Sequence, residues 1–301
     1  KFIDIPDNKY AYNASIASAS NGDYLLAFRV DGLRKIRTGK IKVYESNLKT
    51  IRVNSSFEPI PSTLKNIQTG NTFSEDPRII QLKDQYYVFY NENTNAKNEY
   101  RNMATSILSE NGKQSNKITF GNISNTIEKN WTPFFTENND LYFIYKFDPF
   151  TVHTYNSTPY PPLFNRFVVN NQHFDEWSVK WGDPRGGTPA LKFKNNEYIT
   201  FFHSSKIYGK IRWFFMGVAT FTPPPFMEVK RVSRFPIFST RLYSSIIGPS
   251  APRDKRVCYP AGLVLHKNKA IISLGINDAK IALLTLDLDK LLTNTFTYDS
   301  I

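Results

Sequence analysis

Ser74-Glu75-Asp76-Pro77-Arg78-Ile79-Ile80 is followed, across Lys83-Asp84-Gln85, by the aromatic run Tyr86-Tyr87-Val88-Phe89-Tyr90. Branched and aromatic side chains suit a pleated, half-buried surface, and the polar triplet supplies a reversal, so the stretch reads as strand, tight turn, strand. Pro77 fixes its own φ and steers Asp76 toward extended backbone, which puts a carboxylate at the mouth of a strand. Taken alone, the same residues also fit a plain turn in which Arg78 pairs with Glu75 in solvent. Recurrence of the pattern along the chain decides between the two readings.

Asn13-Ala14-Ser15-Ile16 leads through Asn21-Gly22-Asp23 to the strand that ends at Arg29, and Asn130-Trp131-Thr132-Pro133 leads through Asn138-Asn139-Asp140 to the strand that ends at Lys146. Thr188-Pro189-Ala190-Leu191 leads to the strand containing His203, and Tyr259-Pro260-Ala261-Gly262 leads to the strand that ends at Gly275. With the Asp76 unit there are five hairpins, whose first positions Asn13, Asp76, Asn130, Thr188 and Tyr259 lie 63, 54, 58 and 71 residues apart. Repeats of this length, each able to supply a four-stranded sheet, predict a five-bladed β-propeller. The expected organisation is all-β, with residues 1–301 forming a single domain. Radial closure carries the start of each inner strand to one central funnel, so Asn13, Arg29, Asp76, Lys129, Asn130, Gly187, Thr188, His203 and Asp278 are expected around one pocket.

Composition agrees with a β-protein. Of 301 residues 15% are aromatic, including 17 Tyr and 24 Phe, and long helical periodicities are nearly absent. Lys and Arg outnumber Asp and Glu by 38 to 26, a formal charge of +12 that favours an anionic partner. The single Cys258 excludes an intrachain disulfide framework and gives a slight lean to a reducing, cytoplasmic compartment. No apolar run is long enough to span a membrane as a helix. Because the numbering opens at Lys1, an upstream start or signal peptide is left open, as is homo-oligomerisation.

In combination, Ser74-Glu75-Asp76-Pro77-Arg78-Ile79, Glu128-Lys129-Asn130-Trp131-Thr132-Pro133-Phe134, Arg185-Gly186-Gly187-Thr188-Pro189, Phe202-His203, and Tyr259-Pro260-Ala261-Gly262-Leu263-Val264 followed by Gly275-Ile276-Asn277-Asp278 resemble the successive blade motifs of glycoside hydrolase family 130. That family contains inverting β-mannoside phosphorylases, β-1,2-mannosidases and mannosyltransferases on a five-bladed propeller, and the resemblance runs from Tyr12 to Leu292. It implies Asp76 as proton donor. It also implies Asn13, Arg29, His203 and Asp278 at the sugar, joined by Glu75 and Asn130 as substrate-binding residues. For the phosphate of a phosphorylase it implies Arg101 and Lys129, and Lys146 and Arg185 complete the basic set near the blade mouths. The segments Leu141 to Pro149 and Trp177 to Trp181 depart from the family pattern, so linkage and acceptor do not carry over.

The chemistry asks for these residue types. Inverting cleavage of a glycosidic bond needs a protonated acid at the leaving oxygen and a nucleophile on the opposite face of the sugar. With phosphate as nucleophile, one acid and a cationic cradle suffice; with water, a second carboxylate must act as base, and Asp148, Asp175 and Glu176 are candidates. Glu75 beside Asp76 favours proton retention there, and Arg78 opposes it. Tyr90, Trp131, Tyr145 and Trp213 are candidate faces for sugar rings. The expected ligands are a glycan and an anionic co-substrate, inorganic phosphate or a sugar phosphate or nucleotide, with no other cofactor. A non-catalytic glycan-binding propeller is the alternative from another class.

Other signals are weak. Four His without ligand spacing and one Cys predict no metal site. Asp287-Leu288-Asp289 reads as a strand end that caps a short helical turn. Net charge alone speaks for nucleic acid, so no nucleic-acid partner is expected.

Overall fold

The computed structural model describes residues 1–32, 34–37, 40–43, 45–71, 73–93, 100–120, 127–156, 163–169, 172–194, 196–237 and 254–297. Five sheets, antiparallel apart from a short parallel pairing of Lys255–Arg256 with Arg212 and Trp213 in blade four, stand around a central axis as the five blades of a propeller. Blade one is Ala11–Ser18, Tyr24–Asp31, Ser46–Val53 and Pro59–Asn66, and blade two is Ser74–Leu82, Gln85–Asn93, Arg101–Ser109 and Gln114–Phe120. Blade three is Thr132–Phe135, Leu141–Phe147, Phe150–Asn156 and Leu163–Val169. Blade four carries the longest hairpin, Glu197–Tyr208 on Ile211–Phe221, flanked by Leu191–Lys194 and Val229–Ser233.

Blade five joins the two ends of the chain. Cys258–His266, Lys269–Ile276 and Lys280–Asp287 supply three strands, and Phe2–Ile3 supplies the outermost, with Phe2 opposite Ala282 and Ile3 opposite Ile281. Near the other end, Thr295–Thr297 adds to the outer edge of blade four against Arg231–Ser233. Neither closure is visible in a hairpin repeat, because each pairs residues with no local pattern in common. Asp287 caps the turn Leu288–Leu292 by accepting from the Lys290 amide, as its sequence suggests.

The inner strands are buried almost without interruption because both faces of each blade pack on a neighbour, as in Ala11–Ser18, Cys258–His266 and Lys269–Ile276. Between blades three and four the aromatic rings of Phe134, Phe147, Phe150, Phe174, Phe202 and Phe221 interlock with centroid spacings such as 5.3 Å for Phe134 and Phe221. Each ring fully withdrawn from water contributes about 1.5–3 kcal/mol. Phe174 and Trp177 come from the helix Gln172–Trp181, which fills the gap between those blades.

The inner strands approach closely enough to exclude side chains. A Cβ on Gly262 of blade five would stand 2.1 Å from the Ile16 amide of blade one, and one on Gly186 1.9 Å from the Asn130 carbonyl. Hydrogen bonds cross the same seams: the Ile79 amide donates to Ser15 Oγ at 2.9 Å, and the Ala190 amide to the Pro133 carbonyl at 3.0 Å. The basic segment after Asp31 is a hairpin, Arg34–Arg37 on Lys40–Val43.

Candidate active site

Two inner strands carry a bulge near their start, each with one left-handed residue, Asn13 with φ 47° and Asp76 with φ 54°, and Asn130, just before the inner strand of blade three, is left-handed as well with φ 62°. The ladder slips between Tyr12 and Ser15 and between Glu75 and Arg78, which re-aims the side chain between them into the funnel. Asn and Asp tolerate this conformation better than other residues with a Cβ. Asp76 is therefore not extended, as its place before Pro77 suggests. The proline excludes right-handed helix, and the bulge selects the left-handed well.

Around Asp76 the charges form one network. Asn13 Nδ2 donates to Asp76 Oδ1 at 2.8 Å, and an Arg29 terminal nitrogen lies 2.7 Å from Glu75 Oε1 and 3.7 Å from Asp76 Oδ1. Arg29 Nε donates to Asp31 at 2.8 Å, and Asp31 also accepts from the Tyr12 hydroxyl at 2.9 Å. Arg101 donates to Glu75 Oε2 and, at 2.7 Å, to Asn91 Oδ1, with its guanidinium 4.9 Å over the Phe73 ring. Burial pushes the Glu75 carboxyl up, against Arg29 and Arg101 and with help from Asp76. Burial also raises Asp76, but Arg29, the Asn13 amide, Arg78 and Lys129 outweigh it and hold this carboxyl below its ordinary value.

Arg78 does not pair with Glu75 in solvent. It is fully buried, and its fork turns inward: Nε donates to the Gly187 carbonyl at 2.6 Å, and one terminal nitrogen to the Gly186 carbonyl at 3.0 Å and to the Tyr259 hydroxyl at 2.5 Å. The other terminal nitrogen donates to the Asp76 carbonyl at 3.2 Å. Blades two, four and five are thereby tied at the axis, directly beneath the acid. Tyr259 also donates to Asn130 Oδ1 at 3.3 Å, and its ring meets His203 edge-on at 5.0 Å. Burial, with Arg78 and Arg185 nearby, pushes His203 down to about 3, so the ring is neutral at any physiological pH.

Beside this network lies a cavity of about 350 Å³ lined by Lys129, Asn130, Lys146, Arg185, Tyr145 and Asp148, among others. Lys129 is exposed there, and its charge reaches Asp76, Glu75 and His203. Asp148 accepts from Ser178 Oγ at 2.8 Å; burial raises its pKa, with Asp175 adding and the Ser178 bond opposing. Glu128, also in the wall, is buried and accepts from Trp131 Nε1 at 3.1 Å and from the Tyr145 hydroxyl at 3.2 Å.

The fold thus gathers Asn13, Arg29, Glu75, Asp76, Asn130 and His203 at one centre, and Lys129, Lys146 and Arg185 in the adjoining cavity. Arg101 stands outside that lining, across Glu75. Asp278 carries a 2.6 Å ion pair with Lys255, and its charge reaches Tyr12, which puts it at the same mouth. Thr188 faces inward, with its hydroxyl accepting from the Phe201 amide at 3.0 Å. Tyr90 is buried against Ser106 and offers no open face to a sugar, whereas Trp131, though almost fully buried, borders the cavity together with Tyr145. Arg78, Tyr12, Asp31 and Lys255 join the site through the fold, and of these only Arg78 carries a sequence signal, its fixed place two residues after Asp76. Burial pushes the Cys258 thiol to about 12, which removes it as a nucleophile. Among the described residues no group of three or more His, Cys, Asp or Glu could hold a metal.

Fold and centre define a propeller enzyme built around carboxylates and cations at the axis. The family model described as beta-1,4-mannooligosaccharide phosphorylase matches residues 4–296, and the chain belongs to glycoside hydrolase family 130, whose members are glycoside phosphorylases or hydrolases acting on β-mannosides. No curated protein sequence matches it significantly. Among solved structures, a beta-1,2-mannobiose phosphorylase from Listeria innocua is similar, with TM-score 0.66 and 15% identity over 94% of this chain and 91% of that one. So are two Leishmania mexicana proteins: a mannose phosphorylase in complex with phosphate ion (TM-score 0.61, 13% identity, 95% and 87% covered) and a GDP-Man-dependent mannosyltransferase (TM-score 0.60, 10% identity, 95% and 89% covered). At these identities the likeness is one of fold. No described helix is long and apolar enough to cross a membrane.

Proposed function

We propose that residues 1–301 form one catalytic domain that transfers a β-mannosyl group with inversion, to or from an anionic co-substrate, either phosphate or a sugar phosphate or nucleotide. The observation that carries this reading is the shared cavity of Lys129, Lys146 and Arg185 beside Asp76. In the direction of cleavage, an oxygen of phosphate attacks the anomeric carbon, the glycosidic bond breaks, and Asp76 gives its proton to the leaving oxygen. Asn13, Arg29, Asn130, His203 and Asp278 bind the sugar. Glu75 orients Arg29 toward it.

The low proton affinity of Asp76 in the free site is the reverse of what an acid needs, and the co-substrate works against it. An anion beside Lys129 offsets one of the charges that hold the carboxyl down and so shifts Asp76 toward its protonated form, while Arg29, the Asn13 amide and Arg78 continue to oppose it.

A water-using reading is favoured by Asp148, whose carboxyl lines the same cavity with a raised proton affinity. Incubation with mannose-1-phosphate or GDP-mannose and a panel of acceptors separates the two. A new oligosaccharide supports transfer. Mannose released from β-mannosides at a rate indifferent to phosphate would overturn it.

A further inference from the structure

The longest hairpin in the propeller ends in an exposed tip, beyond a short parallel pairing of Arg212 and Trp213 with Lys255 and Arg256. The strands Glu197–Tyr208 and Ile211–Phe221 have 12 and 11 residues, against eight or nine in the corresponding strands of blades one, two and five. Second strands run toward the funnel mouth, as Arg29 does in blade one and His203 in blade four. At about 3.3 Å per residue, the tip rises roughly 17 Å past His203, on the active face.

Its sequence is Lys206-Ile207-Tyr208-Gly209-Lys210-Ile211-Arg212, without an acidic residue. Ile207 is 56% exposed, Tyr208 46%, and Val179, at the end of the adjoining helix, 75%. The two pieces are locked together: Lys206 Nζ donates to the Val179 carbonyl at 2.6 Å and the Tyr208 hydroxyl to the Lys180 carbonyl at 3.1 Å. Lys180, Lys210 and Arg212 are exposed around these apolar groups; the carboxylates on the adjoining segments are Asp254, whose carbonyl accepts from the Arg212 amide, and Asp175, Glu176 and Asp183 in and just after the helix.

We propose that this tip docks the enzyme on an anionic lipid surface, with the funnel mouth turned toward the bilayer. A ring of cations alone would fit any polyanion. Aliphatic side chains held in water at the summit, with a tyrosine beside them, fit only a partner that offers an apolar layer beneath its negative charge, and tyrosine favours that interface. A second copy of the chain would set cations against cations, which charge repulsion opposes. Basic residues close to an anionic leaflet add to the attraction, and salt screens it.

Co-sedimentation with vesicles tests this. The intact protein is expected to sediment with phosphatidylcholine–phosphatidylglycerol vesicles and to stay in solution with phosphatidylcholine alone. The variant Ile207→Ser/Tyr208→Ser and the variant Lys206→Glu/Lys210→Glu should each bind at least tenfold more weakly. Phe226→Ser, at an exposed residue on the opposite face, should bind as the wild type does. Absence of wild-type binding overturns the proposal, as does binding that Ile207→Ser/Tyr208→Ser leaves unchanged, since the latter describes attraction to polyanions in general.

Discussion

The side-chain amide of Asn13 reaches across the seam between blades one and two and donates to Asp76 Oδ1 at 2.8 Å, over a separation of 63 residues. Both residues sit at equivalent bulges, and both hold φ near +50°. Such a conformation costs on the order of 1 kcal/mol at each position, and it persists where surrounding contacts over-determine it. Here the two bulges fix each other: the amide holds the carboxylate, and Arg78 holds the carbonyl of the same residue at 3.2 Å.

Gly275 sits behind this contact. A Cβ at that position would stand 1.7 Å from Asn13 Oδ1, so Gly275→Ala must displace the amide without touching the acid. Turnover is expected to fall at least tenfold, with a stability loss of about 1–3 kcal/mol from overpacking. Steady-state kinetics and urea unfolding read the two effects separately. Unchanged turnover would show that the Asn13 amide does not set the position of Asp76.

Asp76→Asn addresses the proposed proton donor. The side chain keeps its size, so the fold and glycan binding should persist while turnover drops by a hundredfold or more, the usual scale of general acid catalysis. The folded-state proton affinity of Asp76 is depressed, so its charge stabilises the protein above the unfolded carboxylate pKa, and that contribution fades as pH falls. The stability gap between wild type and variant should therefore shrink toward acid pH. Activity close to that of the wild type would remove Asp76 from the role.

Local pattern made the five hairpins and the convergence of Asn13, Asp76, Asn130 and His203 legible, because the propeller repeats one phase and radial closure does the rest. Three things were not legible, each for its own reason. The pairing of Phe2–Ile3 with blade five joins opposite ends of the chain, and two residues carry no periodicity. The direction of Arg78 is decided by carbonyls of Gly186 and Gly187, more than a hundred residues away, and not by its neighbour Glu75. Tyr90 looks identical in sequence to a ring that faces a ligand; only the stacking of blades shows that it is core.

His203 predicts an acid limb in stability. Its folded-state value of about 3 lies well below the ordinary 6.5, so the unfolded chain binds a proton that the native state refuses. The stabilisation is full above pH 6.5 and is lost as pH falls toward 3, at up to about 1.4 kcal/mol per pH unit. Urea midpoints of wild type and His203→Gln, measured from pH 7 to pH 4, should converge by that slope. Parallel curves would mean that His203 is protonated in the folded protein.

Phosphate-using and water-using chemistry part at the cavity. Lys129 and Arg185 are exposed in its wall, so removing either leaves the core intact, and neither contacts the leaving oxygen's acid directly. If they cradle the co-substrate, Lys129→Ala and Arg185→Ala should raise the KM for phosphate or sugar phosphate tenfold or more, with the KM for the glycan little changed. Charge-assisted contacts of this kind are worth about 1.5–3 kcal/mol, which is one to two decades. Arg101→Ala should behave differently, because Arg101 holds Glu75 and Asn91 outside the cavity lining: its loss should lower kcat through the Glu75–Arg29 pair. Asp148→Asn is the counter-test. A base that activates water would be lost with that carboxylate, and hydrolysis would stop. Cleavage that ignores phosphate, survives Lys129→Ala and Arg185→Ala, and disappears in Asp148→Asn would make the protein a hydrolase.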